Sequence, residues 1–547
     1  MRQASRFAPH FSLVLVAALA GCGGGHDTVA PVGGGAGAGG GSGAGAGTTE
    51  PPAKLSFAQR CAELVGTDVA PGSITSTELV AASDTQPQTC VAMGKIVSSP
   101  TSTIEFRADL PTDAAWNTKL IQMGGGGYNG VIRAPNLMDV VAGGAIGQRG
   151  YAIISSDSGH QDANGGFDFA LNNPSGLDNF AFNAHPQLLK AGLATLQTLY
   201  GAAPTRKYFV GISTGGREAL QQAQRYADSY DGIIAGMPVV DYSIVNQKGI
   251  AISQAAFANG GAGWLSPAKV KLFDTAQLAA CDALDGLADG VIANVQACNF
   301  NAQSLRCADG GDAGDTCLSD AQLATVALMR TRTDLPAPVA NGITTAAPLG
   351  VGGEAGGLGW SAMQLGFSGT TPGSVEFNFA DGYLKYGVTS SASTDLFSYV
   401  PGSFAQQWLA LSDKVNATNP DLSAFAGKGA KLILFHGTAD HLVPPSYSSD
   451  YYASVVSKLG QSTTDSFMRF YMVAGVGHTS SGYTLEALTA LENWVEKGQA
   501  PETLQTSYLA ADKTVASTRP LCRYPAWAKY TGSGDANAAA SFVCATS

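Results

Sequence analysis

The stretch Lys207–Arg217 constrains this chain more than any other. It contains Gly211-Ile212-Ser213-Thr214-Gly215, a G-x-S-x-G pattern. Tyr208, Phe209 and Val210 before it form a short apolar run that reads as a buried strand. Residues 217–226 after it are rich in helix formers. Strand, sharp turn and helix together predict a nucleophile elbow, in which glycines let strand and helix pass close to a serine held with its hydroxyl exposed. A Gly-rich turn whose serine only caps a helix would carry the same five residues, so the partners of Ser213 have to come from elsewhere in the chain.

Strands alternate with helices on both sides of this motif. Ile104–Leu110 alternates apolar and polar residues, as a half-buried strand does, and Lys119–Met123 is a second strand. Gly150–Ser156 and Asp231–Gly236 also read as strands, with a patterned helix at about 180–200 between them. From about Tyr242 to residue 425 the alternation stops. It resumes at Lys431–Phe435, with a helix from about Ser446 to Leu459, a last strand Ser466–Val473 and a closing helix Leu485–Lys497. The expected fold is α/β, a mainly parallel sheet carrying a large insertion. The catalytic domain is expected at 55–241 and 426–547. The 242–425 insertion would form a lid over the C-terminal ends of the strands, where open α/β sheets bind ligands.

The N-terminus reads as a targeting segment. Arg2 and Arg6 precede an apolar run, Phe11–Ala20, that is too short to span a membrane as a mature helix. Leu19-Ala20-Gly21-Cys22 resembles a bacterial lipobox with Cys22 as the lipid anchor, and ordinary secretion is the alternative. Residues 23–54 are dominated by Gly, Ala, Ser and Pro and read as a flexible tether. The expected location is extracytoplasmic, lipid-anchored at the cell surface or in the periplasm, or secreted. Eight cysteines remain beyond Cys22, an even number that suits disulfides in an exported protein. Pairing sequence neighbours gives Cys61–Cys90, Cys281–Cys298, Cys307–Cys317 and Cys522–Cys544. The formal net charge of −11 comes without a basic stripe, so nucleic acid is not an expected partner.

In hydrolases with this elbow the chain order is Ser, then an acid after a late strand, then His after the last one. Of seven histidines, His478 alone follows the last strand, and Asp440 ends the strand before it. The expected roles are Ser213 as nucleophile, His478 as general base and then acid, and Asp440 as the group that orients the imidazole. His160 and His185 precede Ser213 and break the order. His436 and His441 flank the acid and read as structural or gating. The glycine run 124–127 follows a strand and lets backbone N–H groups approach a ligand. The oxyanion donors would be the N–H groups of Gly126, within one residue, and Thr214. In the insertion, residues 281–292 place Asp282, Asp285 and Asp289 among glycines. Such hard oxygen donors suit Ca²⁺, although the spacing is not that of an EF-hand and a solvated acidic loop would look alike.

At this point the residues resemble the tannase/feruloyl esterase family over about 55–545. The resemblance rests on Gly211–Arg217, Cys281–Gly290, Leu434–Asp440 and Phe470–His478, in the family's order. It implies an α/β-hydrolase core with a lid, and a structural calcium held by the Asp282, Asp285 and Asp289 side chains and the Leu287 and Val291 carbonyls. It further implies a serine carboxylesterase acting on esters of hydroxycinnamoyl, galloyl or terephthaloyl-type acids through an acyl-enzyme. One departure stands out. The family usually joins the Ser and His loops by a disulfide, and those positions here are Ile212 and Thr479. Lid aromatics such as Trp264, Trp360, Phe367, Phe377, Tyr383 and Trp408 are candidates for lining the site, and Arg330, Arg332 or Lys385 for meeting a substrate carboxylate. The alternatives are a generic short-chain esterase, a serine peptidase, or a non-catalytic surface binding protein that keeps the fold. No long apolar lid helix points to lipid, and no repeat domain points to peptides.

Overall fold

A ten-stranded sheet positions the site. In this computed structural model, which describes residues 54–546, eight strands precede the long insertion: β1 (Asp68–Val69), β2 (Gly72–Val80), β3 (Thr89–Ser99), β4 (Ser102–Pro111), β5 (Lys119–Met123), β6 (Ala152–Ser156), β7 (Arg206–Ile212) and β8 (Gly232–Gly236). Two follow it, β9 (Lys431–Gly437) and β10 (Met468–Val473). The order is β1-β2-β3-β4-β6-β5-β7-β8-β9-β10. From β6 to β10 neighbours run parallel, while β1 to β4 form an antiparallel meander that joins β6 antiparallel. The leader with Cys22 and nearly all of the 23–54 tether lie outside the described residues.

The parallel strands are apolar at successive positions because both faces are covered. Leu120, Phe209, Ile233, Leu432 and Leu434 enter one core cluster. Their neighbours Ile121, Val210, Ile234, Ile433 and Phe435 enter another. The helix α1 (Ala184–Tyr200) packs into the first cluster through Leu188 and Leu196. The elbow helix α2 (Thr214–Arg225) is buried along most of its length.

No strand of the main sheet lies between β8 and β9. That segment opens with α3 (Tyr242–Gly261), whose N-cap Asp241 accepts from the N–H of Ile244, and carries a hairpin, Thr333–Val339 with Ile343–Ala346. It also holds α4 (Val375–Gly382). Ile252, Phe273, Val326 and Trp360 give the segment a core of its own. After β9, α5 (Pro445–Leu459) follows as expected. The closing helix α6 is shorter than its pattern suggested, Ala487–Lys497, because Tyr483–Leu485 pairs as a strand with Thr503–Leu509. The C-terminal residues form two small antiparallel sheets. All four expected disulfides are present, Cys61–Cys90, Cys281–Cys298, Cys307–Cys317 and Cys522–Cys544.

Candidate active site

Between β7 and α2 the backbone turns sharply at Ser213, with φ 62° and ψ −123°. A non-glycine residue in this region is strained and persists only where its surroundings fix it. Here the Ser213 N–H donates to Gly236 O on the neighbouring strand at 2.9 Å, and Ser213 O accepts from Val239 N at 3.2 Å. The glycines are steric necessities. A Cβ on Gly216 would lie 2.5 Å from Gly236 O, and one on Gly215 would lie 2.8 Å from Gly125 O.

His478, in the loop after β10, and Asp440, in the loop after β9, meet at this turn. His478 Nε2 is 2.8 Å from Ser213 Oγ, and His478 Nδ1 is 2.6 Å from Asp440 Oδ2. Asp440 is fully buried. Its Oδ1 accepts from the N–H groups of Leu442 (2.9 Å) and Val443 (2.8 Å), and its Oδ2 also faces His436 Nε2 at 3.2 Å. Burial by itself raises this carboxyl strongly. The charge of His478 and the bonds from both imidazoles overcome it and hold Asp440 well below the usual carboxylate range. His436 is braced by Ser448 Oγ at 2.8 Å and so serves the acid rather than the serine. His441 turns to Gly352 O at 3.0 Å, and burial lowers its imidazole to about 4. His160 stacks on Phe169 at 3.6 Å between ring centres, and it too is lowered by burial to about 4. The chemistry open to the Ser213–His478–Asp440 chain is attack on an acyl carbon, with the serine proton passing to His478.

The glycine run sits against the elbow. Gly124 N donates to Val210 O at 2.9 Å, Gly215 N to Gly125 O at 3.2 Å, and Gly127 O accepts from Thr214 Oγ1 and from Tyr242 Oη. A residue that sequence reasoning missed ties the two loops together. Glu218 on α2 is buried; its Oε2 accepts from Gly125 N at 2.8 Å and faces His185 Nε2 at 3.1 Å, and its Oε1 accepts from Asn129 Nδ2 at 2.5 Å. Burial raises this carboxyl, but His185, Arg217 and the Gly125 N–H draw it down to about 2. Arg217 is likewise buried. It donates to Phe180 O, Ala181 O and Val415 O and lies over the Phe180 ring at 4.7 Å.

Ser213 opens onto a cavity of about 30 Å³ whose walls include Gly127, Thr214, Tyr242, Glu376 and Phe379. The expected lid aromatics are not among them. Trp360, Tyr383 and Trp408 are core residues, and Phe367 is 71 % exposed. Trp360 belongs to the insertion's own core, and Tyr383 and Trp408 to the cluster that also holds the sheet, while Tyr242 and Phe379 hold the wall positions. The candidate carboxylate binders are engaged elsewhere: Arg330 with Glu354 (3.7 Å), Arg332 with Asp450 (2.8 Å) and Lys385 with Asp381 (2.6 Å). A larger hollow, about 340 Å³, lies between Arg330, Thr438, Arg519 and Trp527 and is lined by none of Ser213, Asp440 or His478.

In the acidic loop the side chains turn to the loop's own backbone. Asp282 accepts from Gly290 N (2.9 Å), Asp285 from Leu287 N (3.1 Å) and Ala293 N (3.0 Å), and Asp289 from Val291 N (3.1 Å), with its other oxygen on Arg519 (2.8 Å). Among the described residues no group of three or more His, Cys, Asp or Glu side chains is arranged as a metal cage. The donor chemistry nonetheless fits a hard cation. Burial, and then repulsion from Asp289 and Asp282, push the Asp285 carboxyl up to about 6.

Residues 90–545 match the family model described as tannase and feruloyl esterase. The chain belongs to the tannase/feruloyl esterase family. It is 32 % identical over 500 residues to an uncharacterized esterase of Agrobacterium fabrum, with 86 % of this chain and 89 % of the relative covered. It is 32 % identical to the mono(2-hydroxyethyl) terephthalate hydrolase of Piscinibacter sakaiensis, with 81 % of each covered. A probable feruloyl esterase of Arthroderma benhamiae is also 32 % identical, with 80 % of this chain and 81 % of the relative covered. Feruloyl esterase B from Aspergillus oryzae superposes with a TM-score of 0.77 at 22 % identity, covering 90 % of this chain and 100 % of that one, which speaks to fold. This tannase/feruloyl esterase family member is therefore a carboxylic ester hydrolase acting on a small-molecule ester, and its α/β-hydrolase fold is the expected one. Its disulfides are consistent with an exported protein.

Proposed function

We propose that this protein is a serine carboxylesterase that hydrolyses esters of aromatic acids through an acyl-enzyme. The observation that carries the reading is the chain of hydrogen bonds from Ser213 Oγ through His478 to the buried Asp440. Ser213 attacks the ester carbonyl, and His478 takes its proton and returns it to the leaving alcohol. Asp440 holds the imidazole with N–H on Nδ1 and offsets its positive charge. The N–H groups of Thr214 and of Gly126 stabilise the oxyanion, and the bond from Gly125 N to Glu218 fixes the glycine loop that presents Gly126. Water then repeats the sequence on the acyl-enzyme. The aromatic acyl class rests on the family and on the names of its relatives, and residues 242–425 serve as the lid.

A hydrolysis panel tests this: methyl ferulate, methyl gallate, chlorogenic acid, mono(2-hydroxyethyl) terephthalate and short p-nitrophenyl esters. Turnover of the aromatic esters is expected. The cavity of about 30 Å³ favours a second reading, a short-chain esterase, because an aryl group needs Phe379 or its neighbours to move aside. Hydrolysis of p-nitrophenyl acetate alone would decide for that reading.

The acidic loop, on this proposal, takes Ca²⁺ through Asp282, Asp285 and Asp289 and the Leu287 and Val291 carbonyls. The ion would brace the loop beside the Cys281–Cys298 disulfide. Cys22 is proposed as a lipid anchor on its lipobox-like context. Metabolic labelling with a fatty acid that Cys22→Ser abolishes would support the anchor, and unchanged labelling would exclude it.

A further inference from the structure

Glu376 lies in the first turn of α4, is 3 % exposed, and lines the cavity onto which Ser213 opens. Its Oε1 is buried with no hydrogen-bond partner among the described residues. The other buried carboxylates of this site, Asp440 and Glu218, are each held by several donors. A buried carboxyl without donors costs stability, so it calls for another use. Space has been made for it. Gly249 on α3 packs against it, and a Cβ there would collide with Oε1.

The titratable groups felt around it are hydroxyls, Tyr128, Tyr242 and Tyr447, and no Lys or Arg lines the cavity it shares with Ser213. On its other side is a hollow of about 10 Å³, shared with Lys248 and with Gln364, whose Oε1 is also without a partner. Lys248 itself donates to Thr331 O at 3.1 Å. Burial pushes the Glu376 carboxyl well above the usual range. Burial thus favours the neutral carboxyl, which offers both an O–H donor and a C=O acceptor.

We infer that Glu376 is a specificity-determining residue of the ester pocket, and that its carboxyl group hydrogen-bonds a hydroxyl carried by the acyl part of the substrate. This rests on the esterase reading above and narrows it. The favoured class is an uncharged, hydroxyl-bearing acyl group. An ester with a free carboxylate is disfavoured, because no cation in this cavity meets it. A buried donor and acceptor discriminate strongly against an analogue that leaves them unpaired.

The test compares kcat/KM on matched pairs of different reach, methyl 4-hydroxycinnamate with methyl cinnamate and methyl gallate with methyl benzoate. Mono(2-hydroxyethyl) terephthalate supplies the anionic arm. The proteins are wild type, Glu376→Met and Glu376→Gln. Wild type is expected to prefer the hydroxylated member of at least one pair by ~10-fold or more, and to be slowest on the terephthalate ester. Glu376→Met should cut kcat/KM on that hydroxylated ester by roughly 10–100-fold, mainly through KM, and leave the unsubstituted parent within about 2-fold. Glu376→Gln should keep most of the discrimination. Glu376→Met should also melt no lower than wild type, since an unpaired polar group gives way to an apolar chain of similar length. Equal losses on both members of each pair, or no change on either, overturn the inference. If Glu376→Met does not fold, wild-type discrimination decides: equal kcat/KM within each pair overturns it. Wild-type protein that hydrolyses p-nitrophenyl acetate but ignores the ring hydroxyl overturns this inference alone, and protein that hydrolyses no ester overturns the esterase reading with it.

Discussion

Asp440 and Glu376 are both buried carboxyl groups of one site, and they meet opposite fates. Asp440 is held well below the usual carboxylate range, while Glu376 is pushed well above it. Burial acts on both in the same direction, so the difference lies in the partners. Asp440 receives two backbone N–H groups and two imidazoles. Glu376 Oε1 receives nothing among the described residues. The comparison teaches that an acid in an elbow hydrolase is made by the loop that caps it. The turn after β9 aims Leu442 N and Val443 N at one oxygen and leaves the other to histidine. A helix first turn in an apolar wall supplies no such set, and the same functional group becomes a neutral recognition element.

The largest expected effect comes from breaking the Asp440 side. Asp440→Asn should lower kcat by about 10⁴-fold with the fold intact, because the amide no longer holds the tautomer that His478 needs. Steady-state kinetics with circular dichroism checks it, and a loss under tenfold would argue against the role. Next comes Glu218→Gln, which keeps shape but removes the charge accepting from Gly125 N and Asn129. It should cost roughly 10–100-fold in kcat with little change in KM, in keeping with ~1.5–3 kcal/mol for hydrogen bonds to a charged group. An effect on KM alone would contradict its placement behind the oxyanion loop.

The pH dependence of stability sharpens the comparison further. Asp440 and Glu218 are lowered on folding, Glu218 to about 2. Their stabilisation is complete above an ordinary carboxylate pKa of about 4 and is lost as pH falls toward the folded values. Glu376 is raised, so the sign reverses. Above about 4.3 the unfolded chain releases this proton and the folded one keeps it, and stability therefore declines as pH rises from there toward the raised folded value. Melting curves of Glu376→Gln against wild type should show the variant gaining ground as pH rises from about 4. A constant difference across that range would mean that Glu376 is ionised. The smallest effect is expected at the acidic loop. EGTA should lower the melting temperature by a few degrees, about what ~1–2 kcal/mol moves in a domain of this size, and Ca²⁺ should restore it. No shift would remove calcium from the account.

Much of this was legible in the sequence. The Ser213 elbow, the acid after the penultimate strand of the sheet and the histidine after the last one follow from chain order and strand patterning, and the structure brings the three side chains together. Neighbour pairing of cysteines also held, since short loops between them close easily. Glu218 and Glu376 were not legible, because nothing in one sequence tells a buried glutamate from a solvated one on a helix. The wall of the cavity was missed for a related reason. Aromatic residues in the insertion look alike in sequence, and only packing separates Trp360 in the core from Tyr242 and Phe379 at the site. At Ile212 and Thr479, beside Ser213 and His478, packing and hydrogen bonds hold the corner. Ile212 packs against the second core cluster, Ser213 is clamped by Gly236 O and Val239 N, and Thr479 O accepts from Tyr483 Oη at 3.2 Å.

The most direct measurement is reaction of the full chain with a fluorophosphonate probe, read by intact mass and then by peptide mapping. One adduct per chain on Ser213 is expected, strongly slowed in His478→Ala and absent in Ser213→Ala. An unmodified wild-type chain, or an adduct on another serine with Ser213→Ala still hydrolysing esters at the wild-type rate, would contradict the assignment of Ser213, His478 and Asp440 as the catalytic groups.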